Sequence, residues 1–327
     1  MTHPEIDPLI NSLIDTASSA PFWEPLYRIS APFRGYGMER VPGLRTLYRS
    51  AYRAFTRQGL RELKLADCSL LVDLADMSIV PSLRFTGSYE ATFSRVLDAV
   101  LKPGATVVDV GAHVGYHAIR LANLVGPHGR VIAYEPEPTL ADILQINIDR
   151  NGLSDRATAH RTAVGRINGR QPLWRNGSNT GGASLSREAV DGGVSGSSSV
   201  EVVTLDFHLL EDLELESTID LIKVDVQGHE FSVLEGASKV IERDWPTIGF
   251  EYNPDQLVAA GIVNPVAELE YIVESDYVLL VADEYRHVVR TMGASAIHNW
   301  CLAEKPDGTS GFLNVLALHQ SRVPVSR

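Results

Sequence analysis

A chain of 327 residues with 44% hydrophobic and 21% charged side chains is long enough for one main domain with additions, or for two domains. Its formal charge of −12 argues against a sequence-independent nucleic-acid binder, which needs excess Lys and Arg along its contact surface. The two cysteines, Cys68 and Cys301, exclude a disulfide framework and a zinc knuckle and fit a reducing cytoplasm. No secretory signal and no membrane-spanning run of about eighteen apolar residues is expected.

Residues 1 to about 65 read as an accessory arm. Six prolines between Pro4 and Pro42 interrupt it, while aromatics such as Trp23, Tyr27 and Tyr48 alternate with arginines such as Arg28, Arg45 and Arg57. The expected form is helical, with aromatics packed on the main domain and arginines facing water; the same composition also suits an anionic substrate, a lipid surface or RNA. Residues 66–327 form the second unit. Strands are predicted at Ser69–Leu74 and Ser78–Val80. A helix is predicted over Tyr89–Leu101, stopped by Lys102-Pro103-Gly104.

Alternation follows: strand 106–110, helix 115–125, strand 130–134, helix 138–150 and strand 157–162. This rhythm predicts a parallel sheet with helices on both faces. Residues 176–199, dense in Gly and Ser, read as a flexible loop or lid. The alternation resumes with strand 200–204, helix 206–213, strand 219–224, helix 229–242 and strand 247–252. Helix 265–274 and strands at 277–282 and 312–318 complete the chain.

The run Val107-Val108-Asp109-Val110-Gly111-Ala112-His113-Val114-Gly115-Tyr116 predicts a strand ending in an acid, a glycine turn and a helix. Gly111 and Gly115 are expected to let the backbone pass close to a ligand. The next strand, Arg130–Tyr134, is followed by Glu135, placed to grip the two hydroxyls of a ribose. A dinucleotide site reads G-x-G-x-x-G and rests a pyrophosphate on the helix N-terminus. Here the loop reads D-x-G-x-x-x-G. Asp109 repels a pyrophosphate and suits a cation, so S-adenosyl-L-methionine is favoured over NAD, the cofactor of the alternative oxidoreductase reading.

A second constellation, Ile219 to Glu230, is another buried strand with an acid, a glycine turn and a helix start. Ligands of open α/β sheets bind outside the carboxyl ends of the strands, so Asp109, Glu135, Asp225 and Glu251 should line one crevice. His113 and His117 are four apart, but His113 falls in the loop and no third ligand is evident; no metal is expected.

Several motifs occur in a fixed order: Gly87-Ser88-Tyr89-Glu90, VVDVGAHVGYHAIRLANLVGPHGRVIAYEPEP, Asn147 to Gly152, IDLIKVDVQGHEFSVLEGA and FEYNP. Together they resemble the FkbM family of S-adenosylmethionine-dependent methyltransferases over roughly residues 85 to 255. The resemblance implies a class I methyltransferase fold: a Rossmann-like, seven-stranded, mostly parallel sheet with helices on both faces and a terminal antiparallel hairpin. It implies O-methylation of a hydroxyl on a sugar, polyketide or other natural product, with a small-molecule or glycan acceptor. Glu90 is then expected to reach the methionine end of the cofactor, and His113 stands where Asn is common. Gln227 stands where Glu is common, which leaves Asp225 and Glu230 as candidate catalytic acids.

Methyl transfer is an in-line displacement, so positioning does much of the work. Glu135 is assigned to the ribose; Asp109 either orders the glycine loop or meets the methionine ammonium. Tyr116, opening the helix, belongs to the cofactor side, and Asp225 should border the methyl group. An alcohol must lose a proton, and His229 and Asp225 are the candidate bases. An N-methyltransferase of the same fold needs no such base. A non-catalytic binding module is the remaining alternative. A homo-oligomer is compatible with the composition.

Overall fold

The computed structural model describes residues 59–176, 180–190, 193–284, 286–303 and 311–322. Residues 1–58, which hold most of the predicted arm, lie outside this set.

Hairpin β1 (Leu60–Lys64) and β2 (Ser69–Asp73) comes first. The expected strand at Ser78–Val80 is instead the start of helix α1 (Val80–Thr86), because Pro81 at its first turn presets a helical φ and lacks the N–H that a ladder needs. Helix α2 (Ala91–Val100) leads to β3 (Thr106–Val110), α3 (Tyr116–Val125), β4 (Arg130–Tyr134), α4 (Pro138–Arg150) and β5 (Ala157–His160). Next come β6 (Ala163–Val164), β7 (Gly169–Asn176), β8 (Val194–Val203) and a π-helical turn over Asp206–Asp212. Then follow β9 (Leu221–Val224), α5 (Glu230–Glu235), α6 (Ser238–Asp244), β10 (Thr247–Tyr252), α7 (Pro254–Ala259) and α8 (Pro265–Glu274). The described chain ends with β11 (Tyr277–Asp283), β12 (Val288–Thr291), α9 (Ala294–Ala303) and β13 (Leu313–His319).

The main sheet runs β12-β11-β13-β10-β9-β3-β4-β5, eight strands rather than seven because β12 extends the edge. Strands β10, β9, β3, β4 and β5 pair parallel; β13 pairs antiparallel with both β10 and β11. The strand period explains how both faces are buried. Val107, Val131 and Leu221 point into the apolar cluster around α2, α3 and α4, whereas Val108, Ile132 and Ile222 point into the cluster around α5 and α6.

Strand order reverses between β3 and β9: one half of the chain builds outward through β4 and β5, the other through β10. The two backbones diverge there beyond the strand ends, which opens a crevice.

Residues 194–199 (VSGSSS), part of the predicted loop, belong to β8 and pair antiparallel with β7. Their side chains are mostly exposed, so the backbone ladder rather than apolar alternation makes this strand. The predicted helix 229–242 is divided at Gly236 into α5 and α6.

Candidate active site

A cavity of about 330 Å³ opens at the carboxyl ends of β3, β4, β9 and β10. Gly111, His113, Tyr116, Glu135, Asp225 and His229 line it, and so does Glu251; Glu90, Asp109 and Gly115 lie behind its wall.

Glu135 follows β4 and is held from two sides. Oε2 accepts the His113 N–H at 2.9 Å and Oε1 accepts the Glu137 N–H at 2.8 Å. Each oxygen keeps a further lone pair, which suits two adjacent hydroxyls of a ligand. Burial, the largest effect, pushes its carboxyl up to about 7.

Asp109 is fully buried and does not reach the cavity. Lys223, also buried, places Nζ 3.2 Å from Asp109 Oδ1, 3.9 Å from Asp225 Oδ2 and 3.3 Å from the Gly111 carbonyl oxygen. Of the two roles the sequence left open for Asp109, this geometry matches ordering of the glycine loop. Lys223 was missed in the sequence, although an ammonium inside an apolar strand signals a buried partner.

Gly111 has φ +79°, and a Cβ there would collide with the carbonyl group of Asp225, so close passage of the β3 and β9 loops demands glycine. Gly115 has φ +94°, and a Cβ would sit 2.6 Å from Leu144 of α4. Its constraint is helix packing rather than ligand approach.

Glu90 adopts φ 46° before α2. Oε2 meets His117 Nε2 at 2.9 Å and Oε1 accepts from Asn314 Nδ2 at 3.0 Å. Burial disfavours its charge, but His117, Lys223 and Asn314 prevail and hold the carboxyl below its ordinary value. His113 Nε2 lies 3.5 Å from Ser78 Oγ and 3.9 Å from Asp76 Oδ2, and burial lowers its pKa. The wall formed by Met77, Ser78 and Ile79 was missed in the sequence, where this segment read as strand.

Asp225 is oriented by a chain of amides. Gln227 Nε2 donates to Asp225 Oδ1 at 3.0 Å, and Gln256 Nε2 donates to Gln227 Oε1 at 3.0 Å. A carboxylate only accepts, so it fixes the direction of both amides and turns Gln256 Oε1 outward as a buried acceptor without a partner among the described residues. Gln227 is therefore a positioning residue for Asp225. Glu230 does not line the cavity: its carboxyl accepts the N–H groups of Val226 and Gly228 and closes the loop after β9, so it is withdrawn as a candidate catalytic acid.

His229 Nε2 is shielded from solvent and has no partner among the described residues. Burial, then Arg166, lowers its pKa, so the ring is neutral at physiological pH. Across the cavity, Ser184 exchanges backbone hydrogen bonds with Trp174, and its Oγ donates to the Gln227 carbonyl at 3.0 Å. Among the described residues no cluster of three or more metal-ligating side chains occurs, and no helix is long and apolar enough to cross a membrane.

A buried carboxylate at the end of β4 with free lone pairs, a glycine loop and an excess of acids fit a sulfonium nucleoside, and comparison with known proteins agrees. The methyltransferase FkbM domain matches residues 109–278. This chain belongs to the FkbM methyltransferase family. Its cofactor is S-adenosyl-L-methionine.

Among curated relatives of this FkbM chain, the protein-L-isoaspartate O-methyltransferase of Methanopyrus kandleri is 35% identical over 98 residues, 30% of this chain and 40% of that protein. The catechol O-methyltransferase of Mus musculus is 35% identical over 66 residues, 20% of this chain and 25% of that protein. The chain thus spans less than two thirds of the length of these relatives. A solved FkbM methyltransferase from Methylobacillus flagellatus KT aligns over 95% of this chain and 58% of its own, at 15% identity and a TM-score of 0.39. An O-methyltransferase from Bacillus cereus in complex with SAH aligns over 69% of this chain and 79% of its own, at 18% identity and a TM-score of 0.36.

Proposed function

We propose that this FkbM chain methylates a hydroxyl oxygen of a small-molecule or glycan acceptor, with His229 as general base. The observation that carries this reading is His229 Nε2: neutral, unpartnered among the described residues, and on the same cavity as Glu135 and Asp225. Glu135 takes the ribose hydroxyls, and the backbone of Gly111 and the ring of Tyr116 form the cofactor side. When bound, S-adenosylmethionine supplies an electrophilic methyl group on a sulfonium.

With cofactor and acceptor bound, His229 Nε2 would take the proton of the acceptor hydroxyl, and Asp225, fixed by Gln227, would border the reacting centre. The relatives named above as O-methyltransferases support oxygen as the methylated atom. The segment at 180–190, tied across the cavity by Ser184, and the arginine-rich arm are the proposed acceptor-selecting elements.

The test is methyl transfer to a panel of sugars, alcohols and amines by wild type, His229→Ala and Asp225→Asn. Loss of about 10²–10⁴-fold in turnover of a hydroxyl acceptor in His229→Ala, with unchanged cofactor affinity, supports the role. Full activity on amines alone in that variant contradicts it.

A further inference from the structure

We propose that Glu251 discriminates the cationic cofactor from its neutral product, releasing a proton as the sulfonium form binds. This inference rests on the cleft being the S-adenosylmethionine site. Glu251 ends the parallel part of the sheet on β10 and lines the same cavity as Glu135 and Asp225. Its carboxyl makes no hydrogen bond or ion pair among the described residues. The charged and titratable groups that act on it are Lys223 of β9, Asp225 just beyond that strand, Glu230 of α5, Glu90 and Tyr89 before α2, and Cys301 of α9.

Lys223 is the ammonium in that set, and it is engaged by Asp109 at 3.2 Å and Asp225 at 3.9 Å. His117 is engaged by Glu90. The cleft therefore holds carboxylates in excess of cations; Glu135 and Glu230 are at least held by backbone N–H groups, whereas Glu251 has neither a cation nor a hydrogen-bond donor in contact among the described residues. Burial first, then Asp225, Glu230 and Glu90, push its carboxyl well above the ordinary carboxylate range, and three neighbouring carboxyl groups with one shared ammonium favour its protonated form.

S-adenosylmethionine brings a sulfonium, an ammonium and a carboxylate, a net positive charge. S-adenosylhomocysteine has lost the sulfonium charge with the methyl group and is net neutral. An opposite charge nearby favours the ionised form of an acid, so the sulfonium draws out the Glu251 proton, which passes to the buffer, and the neutral thioether does not. Affinity for the cofactor then rises with pH below the Glu251 pKa of the empty site, while affinity for the product stays flat. The device favours product exit without any change of shape.

The experiment is calorimetric titration of the full chain with S-adenosylmethionine and with S-adenosylhomocysteine, each in phosphate and in Tris near pH 7. The difference in heat between buffers counts protons. About one more proton released for the sulfonium ligand is expected, with the difference abolished in Glu251→Gln and the preference for cofactor over product reduced roughly tenfold. Equal proton counts for the two ligands in wild type, or a difference that persists in Glu251→Gln, overturns the role. If Glu251→Gln does not fold, the wild-type affinity ratio between about pH 6 and 9 decides: a rise with pH supports the role and a flat ratio overturns it. Absence of binding by either ligand overturns the cofactor site itself, a separate failure from equal proton counts.

Discussion

Lys223 Nζ sits 3.2 Å from Asp109 Oδ1 with both side chains buried, so the two central strands of the sheet are joined by an ion pair beneath the cofactor loop. Burial disfavours the ammonium, but Asp109, Asp225 and Glu90 outweigh it and hold Lys223 above the ordinary lysine range. Removing one partner leaves a buried charge with nothing to offset it. Lys223→Met is expected to destabilise the fold by about 3–5 kcal/mol, and Asp109→Asn combined with Lys223→Met to recover much of that loss. Denaturant unfolding of the single and double variants checks this; a single variant as stable as wild type contradicts it.

Much of this site was legible in the sequence because it is local. A buried strand, an acid and a glycine turn are contiguous in Val107–Gly111 and again in Ile219–Gly228, so their place at strand ends follows from period and turn chemistry. What escaped comes from distant parts of the chain. Asn147 is fully buried and donates to the carbonyls of Leu71 and Val114, tying β2 to the glycine loop, yet nothing in its helix shows that task. The amide order Gln256 to Gln227 to Asp225 likewise joins helix α7 to the loop after β9. Strand β12, short and at the sheet edge, carries too few alternating residues to be read.

Ser184 ties the segment across the cavity to the loop after β9 through one hydroxyl donor. Ser184→Ala removes that bond, worth roughly 0.5–1.5 kcal/mol. The expected outcome is a rise of about two- to tenfold in the acceptor KM with cofactor affinity unchanged, read by steady-state kinetics on an active acceptor and by titration. An unchanged KM separates the segment from acceptor binding.

Glu284 supplies the cap that α2 lacks locally, accepting the N–H groups of Thr92 and Phe93 at 3.0 and 2.6 Å. Burial, the largest effect, pushes its carboxyl up to about 7. Its folded pKa lies above its unfolded value, so the folded state binds more protons and stability falls as pH rises from about 4.5 to about 7. Glu284→Gln cannot titrate. Thermal melts across that window should show wild type losing stability relative to the variant, by on the order of 2–3 kcal/mol at the upper end. Parallel pH profiles contradict the assignment.

Glu135 is proposed to hold the ribose of S-adenosylmethionine at the β4 end of the crevice. Calorimetric titration of wild type and Glu135→Ala with S-adenosylmethionine, and of wild type with NAD, tests it most directly. Wild type is expected to bind the sulfonium nucleoside and not NAD, and Glu135→Ala to lose at least about tenfold in affinity, the cost of two hydrogen bonds to a charged acceptor. Cofactor binding that is unchanged in Glu135→Ala, or NAD binding without S-adenosylmethionine binding, would contradict it.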